Sequence, residues 1–489
     1  MKNSFYITTP IYYASGKPHI GHAFTTLYAD VIVRYYKLRG LETFFVTGTD
    51  EHGSKIAEVA ETIGKDTQEF VDEIAKQYMD MWKSLNINYG DFIRTTSDKH
   101  KNGVAKFVER IYESGDIYSD FYEGLYCVGC ENFITEKNLV KGLCPNHSKP
   151  PQKLKEKNYF FKLSKYLSVV REKIISDELL IIPKSRKNEV LNIIDSNIPD
   201  FSITREHVKW GVPFPYDKNQ TIYVWVEALM NYVTALGFPK NKKFIDFWPA
   251  NVHIIGAEIN KFHSIFWPAL LMSAGLQLPK TIFVHGLFTV NGQKMSKTLG
   301  NTIDPINMID KFGVDATRYL LLSQFPASEH GDIKESEFLT KYNSDLTNGI
   351  GNLFSRVLTM ISKYYTGKID KKPIFTEYIS KKMEDAETRY HEHMRNYQIF
   401  EALKDITFFA TILDEFINKK EPWILYKNKD EELKLVLDSL FFGIEKIANW
   451  LEPFMPTKIS DMYHFISLAK TKGLRQDNIN SKLNFFPRH

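Results

Sequence analysis

The first fifty residues of this 489-residue chain run apolar strand, turn, amphipathic helix, apolar strand, and that order restricts the fold more than any other feature. Residues 4–12 are rich in Phe, Ile and Tyr, and Ala14-Ser15-Gly16 supplies a turn. A helix is predicted from about Pro18 to Arg39. Ala23, Leu27 and Val31, and then Phe24, Tyr28 and Ile32, recur at four-residue steps and share one face. Pro18 suits a first helical turn and Gly40 a C-terminal stop. A second strand is predicted from Glu42 to Thr47, followed by Gly48-Thr49-Asp50 and another helix. Strands joined through a helix lie parallel, so the expected fold is α/β, a doubly wound parallel sheet of the Rossmann type.

The chain is too long for one core. From residue 117 the character changes: all three cysteines, the lysine-rich run Lys153 to Lys157 and proline clusters fall in a stretch read as an insertion. Strand signals resume at Thr221 to Val226, Val252 to Ile255 and Thr281 to Val284. After about 345 the pattern is helical, as in Leu403, Ile406, Phe409, Ala410 and Leu413, which predicts a bundle. The domains expected are residues 1–116 and 221–300 as two halves of a catalytic domain, 117–220 as a connective insertion, 301–345 as a linker, and 346–489 as an all-α domain. At 43% hydrophobic and 25% charged residues the composition is that of a soluble globular protein. A net charge of +4 neither announces nor excludes a nucleic-acid partner, which depends on local basic surface. The N-terminus lacks a signal-peptide run, and residues 262–271 are too short and too interrupted to span a bilayer. A cytoplasmic protein without a membrane partner is expected.

Two short basic stretches carry the chemistry. Lys17-Pro18-His19-Ile20-Gly21-His22 lies where the first strand hands over to the first helix. A parallel sheet binds nucleotides there, because the helix N-terminus offers N–H groups and a positive dipole end. His19 and His22 are one turn apart and can face one ligand, and Gly21 leaves room for a base against the backbone. Lys294-Met295-Ser296-Lys297-Thr298 follows Asn291-Gly292, a favoured hairpin centre. Two lysines on such a loop can neutralise a leaving pyrophosphate. Cys127-Val128-Gly129-Cys130 and, after thirteen intervening residues, Cys144-Pro145-Asn146-His147 form a Cys-x2-Cys and a Cys-x2-His. Three thiolates and one imidazole make a closed tetrahedral set for one structural Zn2+.

The histidine and lysine motifs, in this order and spacing, resemble the signature of class I aminoacyl-tRNA synthetases, and the flanking residues resemble the methionyl branch. Thr298 stands where the family usually has a final Ser. The resemblance implies ATP-dependent activation of L-methionine and its transfer to tRNA(Met), with Mg2+ accompanying ATP. His19, Gly21, His22, Lys294 and Lys297 would bind ATP; His19, His22, Lys294 and Lys297 would be catalytic. Asp50, at a strand's C-terminal end, would hold the methionine ammonium. Ile11, Tyr13, Trp225, Ala228, Tyr232, Ile259, Phe262 and His263 would line the rest of that pocket. Asn352, Arg356 and Trp423 would contact the anticodon. It also implies a single zinc knuckle in the insertion. Where the family usually has Gly-Lys-Asp-Ile, this chain has Gly256-Ala257-Glu258-Ile259, which removes a positive charge near the nucleotide crevice.

A cysteinyl synthetase would carry zinc in its amino-acid pocket, whereas these ligands cluster in the insertion. A small nucleotidyltransferase would need neither the insertion nor the helical domain. A non-catalytic RNA-binding relative would not need His19, His22, Lys294 and Lys297 together. The insertion is too small for a separate hydrolytic domain, and the chain is expected to be a monomer.

Overall fold

A computed structural model describes residues 3–127, 132–134, 136–145, 148–294, 303–365, 367–370, 374–475, 479 and 483–488. Contacts divide the chain into two units, residues 1–83 with 87–286, and residues 84–86 with 287–489. The division falls ahead of the Asn291-Gly292 turn, which the sequence reading assigns to the end of the catalytic half.

The first unit is built on a six-stranded sheet in which every pairing is parallel. Strand β1 (Ser4–Tyr13) leads through α1 (Ile20–Leu38) to β2 (Glu42–Asp50). Helices α2 (Ser54–Thr62) and α3 (Thr67–Ser84) lead to β3 (Asp91–Arg94) and α4 (Asp98–Glu113). The inserted region opens with β4 (Ile117–Cys127), β5 (Asn132–Ile134) and β6 (Gln152–Phe161). It continues through α5 (Leu167–Ile175), β7 (Leu180–Ile182) and α6 (Lys184–Asp195) to β8 (Phe201–Ser202), β9 (Thr204–Arg205), β10 (Pro213–Phe214) and β11 (Asp217–Ile222). Helices α7 (Val224–Leu229), α8 (Asn231–Thr234) and α9 (Lys242–Phe247) precede β12 (Val252–Gly256), α10 (Trp267–Ser273) and β13 (Thr281–His285).

The parallel sheet has the order β3-β2-β1-β12-β13-β7. The chain moves from β1 to β2 on one side and later returns to β12 on the other, so the topological switch point lies between β1 and β12. A ligand crevice belongs there, outside the strands' C-terminal ends. Two features differ from the sequence reading. The edge strand β7 comes from within the insertion and pairs with β13. Only three residues long, it carries too few alternations to announce itself. The predicted strand Thr221 to Val226 instead ends at Ile222, in a small antiparallel sheet of order β10-β11-β9. Tyr223 then N-caps α7, because Val224, Val226, Ala228 and Leu229 all bury their side chains on a short helix.

The second unit begins with β14 (Phe288–Val290), β15 (Gln293–Lys294) and β16 (Gly331–Ile333), in the order β15-β14-β16. Helices α11 (Pro305–Phe312), α12 (Val314–Leu322) and α13 (Glu335–Lys341) lie in and after this sheet. A π-helical stretch, Tyr342–Gly351, runs into α14 (Asn352–Tyr364). The remainder is α15 (Glu377–Arg395), α16 (Ile399–Lys420), α17 (Pro422–Asn428), α18 (Glu432–Leu451) and α19 (Pro456–Thr471). Arg318 on α12 is fully buried. Its guanidinium donates to the carbonyls of Phe454 at 2.8 Å, Pro453 at 3.0 Å, Leu85 at 3.0 Å and Asn86 at 3.3 Å. Those bonds offset the desolvation of a buried charge. No helix among the described residues is long and apolar enough to cross a membrane.

Candidate active site

Helix α1 starts where β1 ends, and its first turn is closed by imidazoles rather than by the usual short polar side chains. His19 is the N-cap, with Nδ1 accepting from Gly21 N–H at 3.1 Å. His22 Nδ1 accepts from His19 N–H at 3.2 Å, so the two residues form a reciprocal capping box. Their rings stack with centroids 3.8 Å apart. Tyr12 presents its edge to the His22 ring at 4.8 Å, and the Tyr78 hydroxyl lies 3.4 Å from His22 Nδ1. Because each Nδ1 accepts a backbone hydrogen, a neutral ring carries its own hydrogen on Nε2. Both histidines therefore offer an N–H donor to an anion even when uncharged.

At the C-terminal ends of the neighbouring strands stand the residues expected to hold methionine. Ile11 and Tyr13 end β1, and Asp50 ends β2 in register with Tyr13. Asp50 is buried. Ile259, Phe262 and His263 follow β12, while Trp225, Ala228 and Tyr232 sit on α7 and α8. The two segments meet. Trp225 stacks on Phe262 with centroids 4.7 Å apart, and the Tyr232 hydroxyl lies 2.7 Å from His263 Nε2. Ile11, Tyr13, Trp225, Ile259 and Phe262 are partly buried against the core cluster that contains Tyr232.

His263 Nδ1 is 3.0 Å from the Ile259 carbonyl, which can only accept, so Nδ1 carries the hydrogen and Nε2 accepts from Tyr232. Burial pushes the His263 pKa down to about 4 against the opposing pull of that carbonyl. The ring is neutral at physiological pH. A neutral hydroxyl–imidazole pair beside stacked aromatic rings is a slot for an uncharged, polarisable group.

Ala257 and Glu258 open a short 3-10 turn after β12. The exposed Glu258 carboxylate lies across Gly256, where an added Cβ would meet its Oε2 at 2.7 Å and His285 Cε1 at 3.5 Å. His285 in turn is 2.9 Å from Thr25 Oγ1 on α1. Burial lowers the His285 pKa, and the Glu258 charge pulls the other way.

The sequence reading missed a buried polar network on the residues that follow Asp50 in the chain. Glu51 accepts from Arg94 Nε at 2.7 Å and Nη2 at 3.0 Å, from Thr49 at 2.6 Å, and from Thr96. Glu227 holds His52 Nδ1 at 2.8 Å and His100 Nε2 at 2.6 Å. Three consecutive ionisable residues at a strand end, Asp50-Glu51-His52, were the available signal.

In the second unit, Asn291 and Gly292 take positive φ values of 51° and 74° and turn β14 into β15. Asp332 pins the turn, its Oδ1 accepting from Thr289 Oγ1 and Gly292 N–H, each at 2.7 Å. Lys294 ends β15. Met295, Ser296, Lys297 and Thr298 lie outside the described residues. Arg356 and Trp423 line one cavity of about 300 Å3 with Ser355, Thr359 and Met360. Asn352 lines another of about 810 Å3, which shares Ser355 and Thr359. Arg356 bonds to Asp414 and, at 3.1 Å, to Asn418, and Trp423 is 40% exposed rather than packed in the core. Of the expected zinc ligands, Cys127 is buried at the end of β4 and Cys144 is buried, its carbonyl accepting from Ser148 N–H at 2.8 Å. Cys130 and His147 lie outside the described residues.

A doubly wound sheet whose first helix is capped by two histidines, with a lysine-bearing hairpin further along the chain, defines a class I tRNA synthetase. The family model for tRNA synthetases class I (M) matches residues 5–153 and 147–358. The methionine–tRNA ligase of Thermotoga maritima is 43% identical over 475 residues, 95% of this chain and 76% of that protein. That of Clostridium acetobutylicum is 43% identical over 93% of this chain and 72% of its own length. The solved structure of Mycobacterium tuberculosis methionyl-tRNA synthetase in complex with methionyl-adenylate superposes with a TM-score of 0.92, at 32% identity and full coverage of both chains. The chain belongs to the methionine–tRNA ligase family.

Proposed function

We propose that the chain joins L-methionine to tRNA(Met) in two steps at the crevice between β1 and β12. The methionine carboxylate attacks the α-phosphorus of ATP, forming methionyl-adenylate and releasing pyrophosphate. A terminal ribose hydroxyl of the tRNA then attacks the activated carbonyl and releases AMP. The carboxylate is already a nucleophile, so the first step rests on positioning and charge stabilisation. His19 and His22 donate from Nε2 to phosphate oxygens, Lys294 and Lys297 are assigned to the charge of the leaving pyrophosphate, and Mg2+ accompanying ATP would supply further charge neutralisation. Asp50 holds the ammonium. Tyr232, His263, Trp225 and Phe262 receive the thioether, with Ile11, Tyr13, Ala228 and Ile259 completing the wall.

The observation that carries the amino-acid assignment is the neutral Tyr232–His263 pair, buried beside the Trp225–Phe262 stack. It offers polarisable contact with no charge for a rival ionic side chain. ATP–pyrophosphate exchange with each amino acid in turn tests this: methionine should stimulate exchange, and its failure to do so would refute the reading. Lys297→Ala should depress the exchange rate far more than methionine affinity.

Asn352, Arg356 and Trp423 serve the anticodon, Trp423 as an exposed stacking surface and the others as hydrogen-bond donors to splayed bases. One Zn2+ held by Cys127, Cys130, Cys144 and His147 would fix the tip of the inserted sheet. The two described cysteines favour this, since both thiols are buried. Equilibration of purified protein with a thiol-competing chelator should release one zinc per chain. The chain acts in the cytoplasm.

A further inference from the structure

We propose that Glu227 is a positioning residue for methionine recognition, tying the strand end that carries Asp50 to the helical turn that carries Trp225 and Ala228. The inference rests on the methionine activation proposed above. Glu227 is completely buried. One carboxylate oxygen binds His52 at 2.8 Å, two residues beyond Asp50, and the other binds His100 on α4 at 2.6 Å. His100 is itself fixed by Thr234 Oγ1, 2.8 Å from its Nδ1. At about 100° per residue, Glu227 faces the opposite side of α7 from Trp225, so it grips the helix from behind the pocket.

Segment 50–53 is anchored on its other side as well. Arg94 clamps Glu51, Trp210 Nε1 donates to the Glu51 carbonyl at 2.6 Å, and Gly53 N–H donates to the Trp210 carbonyl at 3.0 Å. The His52–Glu227 bond links this segment to α7. Stability alone does not call for such a group. Buried ion pairs are commonly matched or bettered by apolar side chains of equal volume, and what a charge held from two sides adds is fixed geometry. Burial opposes ionisation of Glu227, but His52 and His100 together outweigh it and hold the carboxyl down to about 2. The two walls of the pocket are thereby held at one separation. A flexible thioether needs that, because one methylene in an apolar slot gives only about 10–200-fold discrimination.

The test compares Glu227→Gln, His52→Gln and His100→Gln in ATP–pyrophosphate exchange, with unfolding midpoints measured on all three. Glu227→Gln and His52→Gln should each raise the methionine KM about tenfold while the ATP KM stays within about twofold, and the double variant should be no worse than either single one. His100→Gln removes a bond to the same carboxylate but lies away from segment 50–53. It should lower the midpoint as much as His52→Gln while leaving the methionine KM within about threefold. A methionine KM unchanged in both Glu227→Gln and His52→Gln would overturn the proposal. So would a His100→Gln effect on methionine KM equal to that of His52→Gln, since the network would then act only through stability. Absence of exchange in the unmodified chain would instead refute the proposed function itself.

Discussion

Both imidazoles at the start of α1 commit Nδ1 to the backbone and leave Nε2 as the donor toward ligand. The amide of Asn reaches the position of Nδ1 and that of Gln the position of Nε2, so the two roles are separable by substitution. His19→Asn should keep the helix cap and lose phosphate contact, lowering the exchange rate about a hundredfold with little change in unfolding midpoint. His19→Gln should do the reverse, retaining more activity while giving up about 1 kcal/mol of cap energy. Exchange kinetics with urea titrations check the pair. His263 sets a pH signature. Its folded-state pKa is about 4, below the unfolded value of 6.5. Between those values the unfolded chain binds more protons, so stability is complete above pH 6.5 and falls as the pH drops toward 4. A shift of this size corresponds to roughly 3 kcal/mol. His263→Gln should flatten the loss of unfolding midpoint across that window. Glu227 contributes below it, since its lowered pKa means stability lost only as pH falls from 4.5 toward 2. The Tyr232–His263 and Trp225–Phe262 contacts join residues that the sequence reading assigned to one pocket, but the tautomers were not legible. A tautomer depends on a partner such as the Ile259 carbonyl, and nothing in residue order announces that carbonyl.

At the scale of elements, legibility followed length and local chemistry. Helix α1 and strands β1, β2, β12 and β13 were readable because each repeats its apolar pattern over several residues, and the hairpin was readable because Asn-Gly accepts positive φ at low cost. Strand β7 was not, because three residues acquire strand character only from pairing with β13. The turn at Tyr223 was not, because an apolar run of that length fits a strand or a short helix equally. Asp332 lies about forty residues from the hairpin it holds. The partner became visible only once β14 and β16 paired. Asp332→Ala removes the acceptor for both Thr289 and Gly292, and should slow pyrophosphate exchange severalfold with the methionine KM unchanged. Asp332→Asn keeps Oδ1 as an acceptor and should restore most of the rate. Equal rates for the two variants would show that the turn needs no pin.

On the scale of the whole molecule, the contact division places residues 84–86 with the later unit although the chain passes through them early. Arg318 is the reason that matters energetically. Arg318→Met would strand three buried carbonyls and one partly buried one at once, and a loss above about 3 kcal/mol is expected in urea unfolding. The same bonds set an order of events during synthesis. The carbonyls of Leu85 and Asn86 leave the ribosome more than two hundred residues before the guanidinium that binds them, and those of Pro453 and Phe454 well after it. The second unit therefore cannot mature from its own contiguous stretch. Residues 287–489 expressed alone should be recovered poorly, and co-expression with residues 1–286 should rescue them. A protein that looks divisible by its contacts thus completes its later unit only when the earlier stretch of chain is also present.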